Sequence, residues 1–424
     1  MGEKTGAAAI SAKVQLGIIL ILLLVYFLQV ATPLRLHPDT VYILTAAANA
    51  EQGHGFLYHG QPTMHPPGYL AMVALLIHLH LAHPWVLIAV NMVFLTFGLA
   101  AARRIVVSEF AGGLPVFLVC LLSLLSFVFI KYSAIPLTDT VYFGVSMACL
   151  LAMKSGSSAS FDWRRVSVAA VLLLASICVR RVGIALIPAL LYMMLFQLDL
   201  RLYVQRLSTR MKVGALVFAA TAATALAWVI RNTSTLRDFH RDLRGYTVIE
   251  AARGILGFRL KELGEMALNL PFNAFPPIVQ NAIPFLGALV FLLVFGGIAA
   301  RRRQFSVVEV YFVSYVAILL IWTGYDPRYW LPVIPLLIMY CGMSLGRFLE
   351  RGIARHLVTG YVFLSIAAGI LTLTLNTTLS YSGRRFADLY PEYHATYCAA
   401  WHCNEGFDPA KVNPDALQVL REYR

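Results

Sequence analysis

Long apolar runs separated by short basic clusters set the rhythm of this chain. The first run, Val14 to Ala31, is long enough to cross a bilayer and reads as a retained signal-anchor helix. Later runs end at Arg103/Arg104, at Lys154 with Arg164/Arg165, at Arg201 to Lys212, at Arg301 to Arg303 and at Arg347 to Arg355. Positive charge flanking spans marks the cytoplasmic face. The opposite face then receives residues 32–66, 132–138, Arg180/Arg181, 231–280, 323–328 and the tail after about residue 378. The pattern predicts an all-α polytopic membrane protein with about eleven crossings, the N-terminus inside and the C-terminus outside. Parity depends on residues 68–82, a short apolar piece holding His78 and His80, read here as a half-helix or one arm of a broken span. The transmembrane part occupies 1–378, and 379–424 form a short extracytoplasmic tail too small for its own core.

The outside connections carry the polar chemistry. In 32–66, Pro38 and Asp39 open a short helix that Gly53 closes, too short and polar to span and suited to lie along the membrane surface. Asp39 reads either as an N-cap satisfying orphan amides or as a functional carboxylate. His37, His54, His59 and His65 share this loop, which ends in the diproline of HPPGY. Residues 231–280 place Arg237, Arg241, Arg244, Arg253, Arg259 and Lys261 among apolar positions at helical spacing, as in an interfacial amphipathic helix. Such positive charge on an outside loop calls for lipid headgroups or an anionic substrate. In the tail, Cys398 and Cys403 would close a small disulfide loop on an oxidising face, whereas the zinc set Cys398, His402, Cys403 and His394 lacks family spacing. Asn232 and Asn376 open glycosylation sequons, meaningful only in a eukaryotic host.

Composition agrees with the pattern. Of 424 residues, 59% are hydrophobic and 13% charged, which excludes a soluble globular domain. The net charge of +13 sits in clusters between apolar runs, so it speaks for topology and headgroup contact and not for nucleic acid. Cys120, Cys149, Cys178 and Cys341 fall inside apolar runs and read as packing residues.

Two acids and three arginines form the candidate constellation. The tetrapeptide Asp-Thr-Val-Tyr occurs at 39–42 and 139–142, so Asp39 and Asp139 each open a helix at the same surface. Aimed at one pocket they would be a catalytic pair or a cation site; apart, they are caps. Arg180 and Arg181 interrupt an apolar stretch on the face where positive charge is disfavoured, and Arg328 lies in TGYDPRYWLPVIP. Guanidinium forks suit phosphate. The bland readings are arginines snorkelling to headgroups and Arg328 paired with Asp326.

The order of these motifs resembles the GT-C class of integral-membrane glycosyltransferases: PDT with a helix ending in GHGF, then HPPGY, an Asp opening a later outside helix, VRRVGIALIP, and late in the chain PRYWLPVIP. It is similar over about residues 14–376 to the aminoarabinose transferases and protein O-mannosyltransferases, which use polyprenyl-phosphate sugars. The resemblance implies that Asp39 deprotonates the acceptor hydroxyl and that Asp139 shapes the site or holds a cation. Read from the residues themselves, the donor phosphate is expected on Arg328 with Arg180 or Arg181 and Tyr329, and the substrate site is expected to include His65, Tyr69, Glu51 and Tyr325. Many relatives read PDE where Thr40 follows Asp39 here, so no cofactor is assigned; a divalent metal stays open, with His65 its candidate ligand. The relatives' large soluble C-terminal domains have no counterpart, which leaves acceptor recognition to loops.

The expected activity is inverting transfer of a sugar, hexose or pentose, from a polyprenyl-phosphate-type lipid to a hydroxyl of a glycan, lipid or protein. The expected place is the extracytoplasmic face of the plasma (inner) membrane. The rival is a secondary transporter or lipid flippase with Asp39 and Asp139 as ion ligands, but the ionisable residues cluster at span ends and in loops.

Overall fold

The computed structural model describes residues 11–110, 113–154, 163–197, 247–346, 352–401 and 407–423. Outside these fall the expected cluster Arg201 to Lys212, the Asn232 sequon, Arg237, Arg241 and Arg244, Arg347, and His402 and Cys403.

The described chain is helical throughout, apart from a two-residue hairpin of β1 (Leu57–Tyr58) with β2 (Gln61–Pro62). In order the helices are α1 (Ala12–Leu28), α2 (Pro38–Glu51), α3 (Pro67–His78), α4 (Pro84–Val107), α5 (Gly113–Leu124), α6 (Phe127–Tyr132), α7 (Thr138–Lys154), α8 (Trp163–Val179) and α9 (Leu186–Tyr192). After the undescribed stretch come α10 (Val248–Leu268), α11 (Ile283–Ala300), α12 (Val307–Leu319), α13 (Ile334–Gly346) and α14 (Gly352–Ser380), then α15 (His394–Trp401) and α16 (Pro414–Glu422) of the tail. Five described helical stretches are long and apolar enough to cross a bilayer: Ala12–Ala31, Pro84–Val107, Pro277–Ala300, Pro327–Gly346 and Gly352–Ser380. Their outward faces keep large apolar side chains such as Leu24, Phe285 and Leu364 exposed, as lipid contact requires. This is an integral, multi-pass membrane protein.

Ion pairs define the two ends of the bundle. Glu109, just past α4, takes both Lys154 at the end of α7 and Arg301 at the end of α11, and Arg301 Nε also lies 2.7 Å from Glu309. Three of the basic clusters expected on one face therefore meet at one end. Asp139 sits at the other end of α7, about 22 Å away at 1.5 Å per residue.

Helix α3 is the short apolar piece on which parity depends. It spans only twelve residues, packs along α2, and its last residue His78 comes within 3.5 Å of Glu51 at the end of α2. It therefore lies beside α2, and at about 18 Å by 1.5 Å per residue it is shorter than the apolar core of a bilayer. Its entry is tight: a Cβ on Gly68 would meet the Cys178 carbonyl oxygen of α8 at 2.7 Å.

The span begun by α5 breaks at Leu125–Ser126, and the freed backbone groups are satisfied from outside, as bilayer depth demands. Asn269, in left-handed conformation (φ 56°), accepts the Phe127 N–H at 2.7 Å and donates to the carbonyls of Leu125 (2.8 Å) and Ser365 (3.1 Å). Tyr26 donates to the Leu124 carbonyl at 2.5 Å.

Of the six basic residues named in the long connection, three are described: Arg253 is exposed, Lys261 half-buried and Arg259 buried. Helix α10 buries Arg259, Glu262 and Glu265 and exposes Ile249, Leu256 and Phe258. The buried Arg259 and Glu262 pair with each other, and Glu265 accepts the Phe272 N–H.

The tail folds back on the first loop. Tyr397, fully buried, accepts the Leu36 N–H at 2.7 Å and donates to the Leu34 carbonyl at 3.0 Å, while Asp415 accepts from Tyr58 (2.8 Å) and meets His59 (2.9 Å). Buried Arg35 donates to Asn376 and Ser380 near the end of α14. Cys398 is disulfide-bonded.

Candidate functional site

Two short helical starts face one another. At the first, His37 is the N-cap of α2, its Nδ1 accepting the Asp39 N–H at 3.2 Å, with Pro38 in the first turn. The cap is therefore not Asp39, and the Asp39 carboxylate is free to point elsewhere. At the second, Asp326 caps the 3-10 turn Pro327–Val333 by accepting the Arg328 N–H at 3.0 Å. In each case a cap, a proline and then the functional residue follow in order, so proline's fixed φ sets the side chain's exit direction.

The Arg328 guanidinium is the hub. Its Nη2 donates to Asp39 Oδ2 at 2.5 Å, its Nε lies 2.8 Å from Asp326 Oδ2, and its Nη1 stands 3.9 Å from Asp139 Oδ2. The reading of Arg328 as an open phosphate ligand is thereby modified: it is paired with Asp326, as the bland reading held, and with Asp39 as well. His37 Nε2 reaches Asp326 at 3.7 Å, and His65 Nε2 stands 3.9 Å from Asp39 Oδ1. Behind them Arg180 pairs with Asp139, which is 1% exposed, and the guanidinium carbons of Arg180, Arg259 and Arg328 all lie 5.4 to 5.8 Å from the Tyr329 ring centre.

The electrostatics follow from this packing. Burial pushes the Asp39 carboxyl up, but Arg328, with His65 and His37, outweighs it and holds the group below its ordinary value. Burial likewise pushes Asp326 up, and hydrogen bonding from His37 with the Arg328 charge brings it to about 2. His65 is lowered by burial, opposed by Asp39 and reinforced by Arg328, Arg180 and Arg181, so it is neutral near pH 7.

Of the residues expected at the site, Asp39, Asp139, Arg180, Arg328, Tyr329 and His65 come together. Arg181 is half-buried and close enough for its charge to act on His65. Tyr325 points to α10 instead, its ring 4.4 Å from Lys261 Nζ and 5.9 Å from Phe258. Tyr69 is 1% exposed and offers a substrate no surface. Glu51 lies about 18 Å along α2 from Asp39, against His78. Asp39 and Arg328 are in direct contact, with no space between their side chains.

A divalent ion does not fit the residues as they stand. Arg328 occupies the space between the three carboxylates, and among the described residues no group of three or more His, Cys, Asp or Glu is placed to hold a metal. Two contributors escaped sequence reading in their present roles: His37 as cap and Glu262. The cap-Pro order His37-Pro38, repeated at Asp326-Pro327, was the available signal for the first.

No protein-family model and no curated protein matches the chain. Among solved structures it is similar to ArnT from Cupriavidus metallidurans bound to undecaprenyl phosphate, at 15% identity and a TM-score of 0.50, over 96% of this chain and 85% of that one. The same protein in the apo state gives 14% identity and 0.47 over the same shares. The archaeal oligosaccharyltransferase AglB from Archaeoglobus fulgidus, in complex with an inhibitory peptide and a dolichol-phosphate, gives 12% identity and 0.45, over 96% of this chain and 59% of that one. The fold likeness rests on the first of these, and by it this chain has a GT-C-like fold.

Proposed function

We propose that the protein transfers a sugar from a polyprenyl-phosphate-type lipid to an acceptor hydroxyl at the extracytoplasmic face of the plasma (inner) membrane, with inversion. The single observation that carries this is the contact between a partly exposed carboxylate, Asp39, and the otherwise buried Arg328, in a fold shared with a protein solved bound to undecaprenyl phosphate.

In this reading the lipid phosphate takes the place of the Asp39 carboxylate on Arg328, next to Arg180, which Asp139 orients from behind. Asp39, released, accepts the proton of the acceptor hydroxyl. The hydroxyl oxygen bonds to the anomeric carbon from the face opposite phosphate, and the bond from that carbon to the phosphate oxygen breaks with its electron pair on the leaving lipid phosphate. The proton ends on Asp39, the sugar on the acceptor, and the new negative charge beside Arg328. His65, neutral, borders Asp39 on the acceptor side. Sugar and acceptor are carried by loops and the tail, and 1–378 forms the catalytic unit.

Carboxylates already paired with arginines are poor cation ligands, which weighs against the transporter reading of Asp39 and Asp139. Reconstituted in proteoliposomes with lipid-linked sugars extracted from host membranes, the protein should release polyprenyl phosphate and label acceptor without any ion gradient. Gradient-driven flux with no transfer would overturn the proposal.

A further inference from the structure

Helix α10 grips the turn that carries the arginine hub. Glu262, fully buried, accepts the Asp326 N–H through Oε1 at 2.8 Å and the Trp330 indole N–H through Oε2 at 2.8 Å. Arg259, one turn earlier, lies 2.8 Å from Glu262 Oε2 and donates its other arm to the Gly324 carbonyl. The segment 324–330 is thus held at its carbonyl, its amide and its indole by two neighbouring side chains. Arg328, which meets Asp39, lies between the holds at Asp326 and Trp330. From α12, Tyr315 adds a hydrogen bond to the Tyr329 carbonyl at 2.5 Å.

A buried ion pair is a weak stabiliser compared with well-packed apolar side chains, so stability alone gives no reason for one here. What a carboxylate supplies that an apolar group does not is two acceptor oxygens at fixed angles, each on a donor that would otherwise be buried and unpaired. We infer that Glu262 is a positioning residue for the transfer reaction: through the Asp326 amide and the Trp330 indole it holds the 324–330 turn so that Arg328 meets both Asp39 and a lipid-phosphate anion. Glu262 touches neither sugar nor phosphate; it acts through the turn. This rests on the transfer reading above.

The conservative substitution Glu262→Gln keeps the volume. Its amide oxygen still accepts from one donor, but its NH2 then faces the indole N–H or Arg259, donor against donor. Full-length protein in detergent is titrated with a polyprenyl monophosphate, with the corresponding polyprenol as control. E262Q should weaken monophosphate binding about tenfold and leave polyprenol binding unchanged; Trp330→Phe should weaken it about threefold. The double variant should be weaker than wild type by less than the product of the single effects, because both act on one hydrogen bond. A merely structural defect lowers the folded fraction, and with it the binding amplitude, without moving the dissociation constant. Wild-type affinity in both single variants would overturn the inference.

Amide exchange over residues 322–333 provides the second readout. It should speed up in E262Q, and unchanged exchange would overturn the grip of Glu262 on the turn. If the wild type itself fails to bind polyprenyl monophosphate, the transfer reading falls and the catalytic role of Glu262 with it. Exchange then still reports on the grip alone, so the two failures are told apart.

Discussion

Asp39 and Arg328 stand 289 positions apart in sequence, and their side chains meet at 2.5 Å. A carboxylate in such a pair is ionised but weakly basic, and a guanidinium so engaged is not yet free for phosphate. In the proposed mechanism each group reaches its working state only when the other is displaced, so a lipid phosphate bound on Arg328 would prepare Asp39 to take a proton.

Replacing Asp39 by Asn removes the proton acceptor and the carboxylate that competes for Arg328. Transfer should fall by about 10²-fold or more, the scale of general-base catalysis. Affinity for polyprenyl phosphate should stay level or rise. Steady-state transfer and direct titration of the lipid check the two halves, and turnover at the wild-type rate would remove Asp39 from the chemistry.

Replacing Arg328 by Lys retains one charge but not the planar fork that reaches Asp39, Asp326 and Asp139 at once. Lipid-phosphate affinity should drop about tenfold or more, and Arg328→Ala, which leaves buried carboxylates unpaired, should also lower thermal stability. If the Lys variant has an unchanged KM for donor, Arg328 is not its phosphate ligand.

The pH dependence follows from two lowered groups. Asp39 has its folded value below its ordinary 3.8, so its ion-pair stabilisation is complete above 3.8 and fades only as pH falls through the lower folded value. His65 is held below 6.5 by burial, so the unfolded chain takes up that proton first and stability declines as pH falls below 6.5 toward the folded value. Profiles of kcat/KM should therefore show no acid limb from Asp39 between about pH 5 and 7. Any limb in that window should vanish in His65→Gln; one that persists there would mean the base is some other group.

Tyr397→Phe deletes the hydroxyl that joins the Leu36 amide and Leu34 carbonyl of the first loop to the tail. An orphaned buried amide costs about 1–3 kcal/mol. The tail should become more sensitive to protease, with a lower Tm for the whole chain. A cleavage rate equal to wild type would show that the tail is held by other contacts.

Much of this molecule was legible in one dimension because a bilayer imposes a one-dimensional code. Apolar runs of spanning length, basic clusters at one end and polar loops at the other are consequences of solvent and charge alone. They led to the helical class, to the shared end of Arg103/Arg104, Lys154 and Arg301, and to the placing of Asp39, Asp139, Arg180 and Arg328 together at the other end. The order of short motifs added the GT-C likeness. The sequence could not say which partner each charge takes, since pairing depends on distances between helices far apart in the chain. Only the tertiary structure made His37 the cap in place of Asp39, set Arg328 between carboxylates, placed Arg259 and Glu262 of α10 against the 324–330 turn, and withdrew Tyr69 and Glu51 from the site. A buried ion must be neutralised within a few ångströms, and which acid lies that near is decided by packing in three dimensions.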